Sequence, residues 1–330
     1  MTDIVSKLIL QVGIFFLLML PGIIMKKCRL STDGFGKGVS NLVLYIAQPA
    51  LIFLAYLRPY DKGIFINCLW VLLLSVLAHA IFVLAALLFF RRAEDSKQRM
   101  LRMATIFSNA AFLGIPLIDA ILGAEATLYA SIYNITFNLV LWSLGVFLCT
   151  AGKDMSGDGV PDGASFTRRL MLRSLGKALL HPVTLAAALG LLFFFFPIEG
   201  SLPKILFDTL SMLKSLVAPL SMIVIGIRLA DMKWKGTLCD GHMYLFLCLR
   251  HLILPLAVFG VMKALALLGM PLHEDVFLVI LIMAAAPAAS SSTMFAERFD
   301  GNASYASRLV TISTLLSIFT MPLIVALSFL

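Results

Sequence analysis

The chain has 330 residues, of which 61% are hydrophobic and only 13% charged, about half the charge of an ordinary soluble domain. The net charge of +8 raises nucleic acid as a partner. That class is set aside because the cations fall in short segments between long apolar runs, where membrane topology accounts for them.

Apolar runs of spanning length fall near 6–25, 38–57, 65–90, 102–121, 128–151, 178–197, 205–229, 242–268, 275–296 and 305–328. Crossing about 30 Å of hydrocarbon takes roughly 20 residues. The expected fold class is therefore an all-α polytopic membrane protein with ten transmembrane helices. The first run is read as a retained span, because its basic cluster (Lys26, Lys27, Arg29) follows the apolar stretch and no Ala-x-Ala site comes after it. The third is long enough to tilt. Whether 203–212 begins the seventh span or lies on the membrane surface stays open. Loops after odd-numbered runs carry eighteen Lys and Arg; loops after even-numbered runs carry three, Arg58, Lys62 and Lys204. The positive-inside rule puts the first set in the cytoplasm and both termini outside, in the plasma membrane.

The second run holds Tyr45, Gln48 and Pro49, and Gln48 can donate and accept in a site between helices. Tyr45 fits either that site or an ordinary interhelical bond. The fourth run is interrupted at 108–116 by Ser108, Asn109, Gly114 and Pro116, and the ninth at 287–293 by Pro287 and the hydroxyls Ser290, Ser291, Ser292 and Thr293. Lipid cannot bond to opened backbone, so such breaks are tolerated only inside protein or beside water. A matched pair of them points to the binding site of a secondary transporter. Pro116 and Pro287 can each open a second half-helix, since the first helical position needs no N–H. The N–H groups exposed there suit a carboxylate. The plainer alternative is a kink.

Asn109 can offer its amide to an anion or tie the two breaks together. On the fifth run Asn134 and Asn138 lie one turn apart and can line a cavity or pair with another helix. Arg250 sits about eight residues into the eighth span, a costly place for a cation. It either attracts the anion or snorkels to the interface. Asp119 and Glu297 end the broken runs, as proton or ion carriers or as solvated loop acids. His79 and His181 carry weaker signals.

Between the fifth and sixth runs lies the one sizeable loop. Asp154, Asp158 and Asp162 are spaced by four and miss the alternate-residue ligands of a calcium loop. A linker ending in a basic surface helix (Arg168, Arg169, Arg173, Lys177) is expected instead. Five runs on each side force the halves into opposite orientations. Echoes support a duplication: Asp119 and Glu297 each lie four residues before a glycine, Tyr-Ala-Ser recurs at 129–131 and 305–307, and Pro49 is matched by Pro219. The expected division is 1–151, a cytoplasmic linker at 152–177, and an inverted second repeat at 178–330.

The stretches 41–53 (NLVLYIAQPALIF), Asn109 through Leu117 to Gly123, and Ala286-Pro287-Ala288-Ala289 with Phe295 to Phe299 and Thr320-Met321-Pro322 carry a resemblance over essentially the whole chain. The chain resembles the auxin efflux carrier family, within the wider bile-acid and auxin carrier group. The resemblance implies ten helices in an inverted repeat and crossed broken helices four and nine around a central site. It also implies organic-anion substrates: auxin in plant members, malate or malonate in many bacterial ones. Where many members carry an Asn, this chain has Ser291, which bears on substrate size and polarity.

The expectation is thus a secondary carrier of a small organic anion, working by alternating access, with the bilayer as its solvent, no cofactor and a homodimer left open. Rival classes are a polytopic membrane enzyme and a receptor or channel. The five scattered cysteines form no CxxC pair, no HExxH or Walker A motif occurs, and the serine run has no evident histidine partner. Neither a metal site nor catalysis is expected.

Overall fold

The computed structural model describes residues 2–32, 34–150, 172–173, 176, 179–196, 202–231, 240–270 and 272–329. Within them the chain is helical, with no strand beyond one isolated bridge. The aspartates of the linker, with Arg168, Arg169 and Lys177, lie outside the described residues.

In chain order the helices are α1 (Thr2–Lys27), α2 (Phe35–Tyr56), α3 (Lys62–Phe89), α4 (Asp95–Ile106), α5 (Ala110–Leu122), α6 (Ala124–Thr150), α7 (Pro182–Phe195), α8 (Lys204–Ala230), α9 (Gly241–Leu267), α10 (Glu274–Ala285), α11 (Ser291–Arg298) and α12 (Ala303–Leu327). Seven are long and apolar enough to cross a membrane: α1, α2, α3, α6, α8, α9 and α12. Large apolar side chains stand exposed along them, among them Leu10, Leu17, Leu72 and Leu84. In water such faces would drive association; in lipid they are the matched solvent. The expected runs fall on these helices with ends shifted by a few residues. The fourth and ninth runs are each divided in two. The stretch 203–212 belongs to a helical segment, Lys204–Ser215, that buries no residue and turns at Leu216 into the packed part of α8.

Several helices widen into π-turns, and a proline explains most of them. The π-turns Val43–Ala47, Ala110–Gly114 and Leu249–Ile253 each end two residues before a proline: Pro49, Pro116 and Pro255. A proline ring crowds the preceding turn and supplies no N–H. Widening that turn relieves the clash without breaking the helix.

Intact helices meet closely through glycine. A Cβ on Gly22 of α1 would stand 2.1 Å from the Ile223 carbonyl oxygen of α8, and one on Gly226 of α8 2.1 Å from that of Met19. Only hydrogen fits at either point, which lets the two backbones touch. Gly190 of α7 makes a similar opening for the Tyr56 side chain of α2. Elsewhere α3 packs on α4 and α6, and α9 packs on α10 and α12.

Candidate functional site

The two interrupted runs meet. Helix α4 ends at Ile106, and Phe107 turns to extended backbone (φ −99°, ψ 115°). Helix α10 ends at Ala285, and Ala286 is extended as well (φ −59°, ψ 146°), as expected for a residue before proline. The two extended pieces lie antiparallel. The Asn109 N–H donates to the Pro287 carbonyl at 2.7 Å, and the Ala289 N–H donates to the Phe107 carbonyl at 2.8 Å. Ser108 and Ala288 face one another as a single β-bridge. Each break thus satisfies backbone groups of the other, which is what a buried, opened main chain requires.

Pro116 stands in the first turn of the α-helical stretch Ile115–Leu122, but that stretch continues a π-turn, so neither proline marks the point where its helix reopens. Helix α5 starts at Ala110, six residues before Pro116, and α11 starts at Ser291, four residues after Pro287. Pro287 contributes a carbonyl to the bridge. Pro116 instead sits just past the π-turn. In such a turn its N–H would have met the Ala111 carbonyl; Gln48 Nε2, reaching across from α2, donates to that carbonyl. A fully buried glutamine from a neighbouring helix therefore replaces the bond that proline cannot make. Gly114 lies close against α10: a Cβ there would stand 2.6 Å from Met283 Sδ.

Arg250 is wholly buried, so it does not snorkel. It donates from Nε to the Ala286 carbonyl (3.1 Å), from Nη1 to that of Thr105 (3.1 Å), and from Nη2 to those of Ala284 (3.2 Å) and Ala286 (2.6 Å). These carbonyls end α4 and α10, where helix dipoles are negative and the last C=O groups have no intrahelical partner. One guanidinium thus caps two half-helices. Its face also lies 5.1 Å from the Phe82 ring centroid. No carboxylate pairs with it among the described residues, so backbone dipoles compensate the charge.

The second break has its own support. The Ala288 N–H donates to Ser313 Oγ at 2.8 Å, and Ser313 Oγ lies 2.8 Å from His251 Nε2, whose Nδ1 lies 2.9 Å from Thr320 Oγ1. The sequence reading missed His251 and Ser313. Their one visible signal was a run of small hydroxyl residues in an apolar helix.

Beside the bridge, several buried polar atoms lack a partner among the described residues: Asn109 Nδ2, Asn134 Oδ1, Ser291 Oγ and Ser292 Oγ. Asn109 lies in the first break, Ser291 and Ser292 open α11, and Asn134 lies on α6, which packs on α10 and on the π-turn after Asn109. Buried polar groups are normally satisfied. The Asn109 amide and the two serine hydroxyls offer donors to an incoming anion or to water, and Asn134 Oδ1 offers an acceptor.

The remaining residues are dispersed. Asn138 is half-buried one turn beyond Asn134. Ser290 is buried beside the start of α11. Tyr45 is exposed and packs its ring 5.0 Å from His181, so the structure does not bring it to the bridge. Asp119 pairs with Lys214 of α8 at 2.9 Å and accepts from Thr127 at 3.0 Å. Glu297 is exposed. His79 is buried, its Nδ1 2.7 Å from the Ser75 carbonyl. Among the described residues no group of three or more His, Cys, Asp or Glu is placed to hold a metal.

A family model described as membrane transport protein matches residues 5–325. An uncharacterized transporter of Methanothermobacter thermautotrophicus is 28% identical over 307 residues, covering 93% of each chain. An uncharacterized transporter of Methanocaldococcus jannaschii is 24% identical over 280 residues, covering 81% of this chain and 82% of the relative.

Proposed function

This chain belongs to the membrane transport protein family, in keeping with its resemblance to auxin efflux carriers, and we propose that it is a secondary carrier that moves a small organic anion, a carboxylate, by alternating access. The observation that carries this reading is the bridge of two opened helices, with Asn109 Nδ2, Ser291 Oγ and Ser292 Oγ unpartnered beside the first turn of α11. Backbone N–H groups at a helix start, with neutral side-chain donors, can replace the water around a carboxylate.

The same proposal takes α4 with α5, and α10 with α11, as two broken spans, giving ten in all. The halves 1–151 and 178–330 then form an inverted repeat around the linker 152–177, with both termini outside. The pairing of helices supports it. Span 1 packs on span 7 and span 6 on span 2, while spans 3 and 8 each pack on the neighbouring broken span and on spans 5 and 10. Each contact has its counterpart in the other half. Spans 1, 2, 6 and 7 form the scaffold against which the bridge-bearing spans move. Asp119 and Glu297, at the far ends of the broken spans, are the groups through which proton or sodium coupling would act. A homodimer through the scaffold is compatible with this arrangement.

The test is counterflow of labelled mono- and dicarboxylates in proteoliposomes. A carrier exchanges internal for external carboxylate at a saturable rate. Absence of exchange for every carboxylate, in protein that is folded and inserted, removes the reading. A reporter active only in the cytoplasm, fused after Leu330, is expected to stay silent; a strong signal there removes the ten-span topology.

A further inference from the structure

Two arginines lie near the bridge, and they are not equivalent. Arg250 has four hydrogen bonds to carbonyls and no solvent exposure. Arg228, in the last turn of α8, is only partly buried. Its one hydrogen bond among the described residues runs from Nη1 to the Ser290 carbonyl at 3.5 Å, the outer limit for such a bond. A guanidinium has five donors in a rigid fork, and most of those of Arg228 have no partner among the described residues.

What it faces is a small cavity of mixed lining. Ser290, Thr311 and Thr314 line it with Arg228, and Ile225, Leu229 and Val310 close the apolar sides. Its water-sized space is about 10 Å³, one water's worth. The wall comes from two bodies: α8 on one side, the start of α11 and helix α12 on the other. Ser290 is the residue just before α11, so the cavity adjoins the unpartnered cluster at the bridge. The competing acid is Glu297, at the other end of α11, which lies within electrostatic reach of Arg228. It forms no ion pair with Arg228 at 4 Å or less.

We propose that Arg228 is the anion-reading residue of this carrier: its guanidinium, with the Thr311 hydroxyl, takes a substrate carboxylate at the α8–α11–α12 junction, while Thr314 keeps its hydroxyl on the Val310 carbonyl. This rests on the carrier reading above and names the charged partner that the neutral donors at the bridge lack. In the conformation described, the pocket is too small for a carboxylate. Admitting one requires α8 to part from α11 and α12, which is the relative movement of scaffold and bridge. Arg228 then exchanges the weak field of Glu297 for a paired, bidentate carboxylate. The site thus couples occupancy to the position of the moving body.

The experiment measures thermal shifts of the purified full chain in detergent with acetate, malonate and succinate, for wild type, Arg228→Gln, Arg228→Lys and Glu297→Gln. Arg228→Gln is expected to weaken binding of whichever carboxylate stabilises wild type by about tenfold or more. Arg228→Lys keeps the charge but loses the fork, and falls between the two. Glu297→Gln removes the competitor and tightens binding a fewfold. Arg228→Gln that melts like unliganded wild type yet binds within twofold of it overturns the proposal. Should Arg228→Gln not fold, unchanged affinity in both Arg228→Lys and Glu297→Gln overturns it equally. Wild type that neither binds nor exchanges any carboxylate sinks the carrier reading itself. Wild type that binds, with variants that do not differ from it, sinks only the role of Arg228.

Discussion

The contact of α1 with α8 and the bridge between the two broken runs both bring main chain against main chain inside an apolar slab. At the first, the helices stay continuous even though α1 carries Pro21 in its interior, and Gly22 and Gly226 remove the side chains that would hold the rods apart. At the second, the helices are opened. Their freed groups are shared between the two breaks, and Arg250, Gln48 and Ser313 take much of the remainder. The first solution is closed by direct backbone contact. The second leaves polar atoms unclaimed, and that difference separates a packing surface from a surface able to bind.

The comparison is most directly broken at Arg250. Replacing it with Met would orphan the buried carbonyls of Thr105, Ala284 and Ala286, a loss of roughly 3 kcal/mol or more at 1–3 kcal/mol each. Folded yield after size exclusion and melting temperature should both fall sharply. A variant as stable as wild type would mean the bridge does not depend on that cap.

Next in size is Gly226→Ala. The clash is with backbone, which cannot rotate away, so the helices must part at a cost of about 1–3 kcal/mol. Melting temperature should drop, while carboxylate binding measured below the melt should change little. Loss of binding at unchanged stability would reverse the roles assigned to the two regions.

Asn109→Ala sharpens the comparison from the other side. Its Nδ2 has no partner among the described residues, so stability should hold within about 1 kcal/mol, while carboxylate affinity falls about tenfold. Normal binding and transport by this variant would remove Asn109 from the site.

Smaller still is Asp119→Asn. The pair with Lys214 is partly exposed on both sides, so its removal should cost no more than about 1 kcal/mol, and less at high salt. Melting curves at low and high salt measure it.

The smallest expected effect is a pH dependence at Asp240, which caps the start of α9. Burial by itself would raise its carboxyl. The Tyr305 hydroxyl (2.8 Å), the His242 N–H (3.0 Å) and the Lys97 ammonium (3.7 Å) outweigh that and hold it below its ordinary value of 3.8. A depressed carboxyl stabilises the fold above its unfolded pKa, and that contribution is lost as pH falls through the folded one. Wild type should therefore lose stability below about pH 4, and Asp240→Asn should lose that part of the acid sensitivity. Parallel acid titrations of the two would show the difference, or its absence.

Much of the architecture was written in local chemistry. Long apolar runs and a membrane fold follow from composition, and the break in each short run was legible because Asn109 and Pro287 are the wrong residues for a continuous lipid-facing helix. The place of each opening was less legible. Pro116 looks like the start of a half-helix, but a π-turn absorbs it and the chain opens earlier. Tyr45 shares its run with Gln48, yet three residues along a helix is most of a turn, and local widening at Val43–Ala47 alters which faces they take. Arg250 announced itself as an expensive cation without saying what it bonds to. Arg228 was hidden among the basic residues that report topology.

The sequence alone determined which segments prefer lipid and which points along them cannot stay helical, because transfer energy and backbone geometry are properties of each residue and its near neighbours. Only the tertiary structure decided that the two openings would exchange hydrogen bonds, that Arg250 would cap both, and that Arg228 would stand beside a cavity. Those outcomes depend on groups brought together from distant parts of the chain, and a buried polar atom is satisfied or left open only by what packing places within about 3 Å of it.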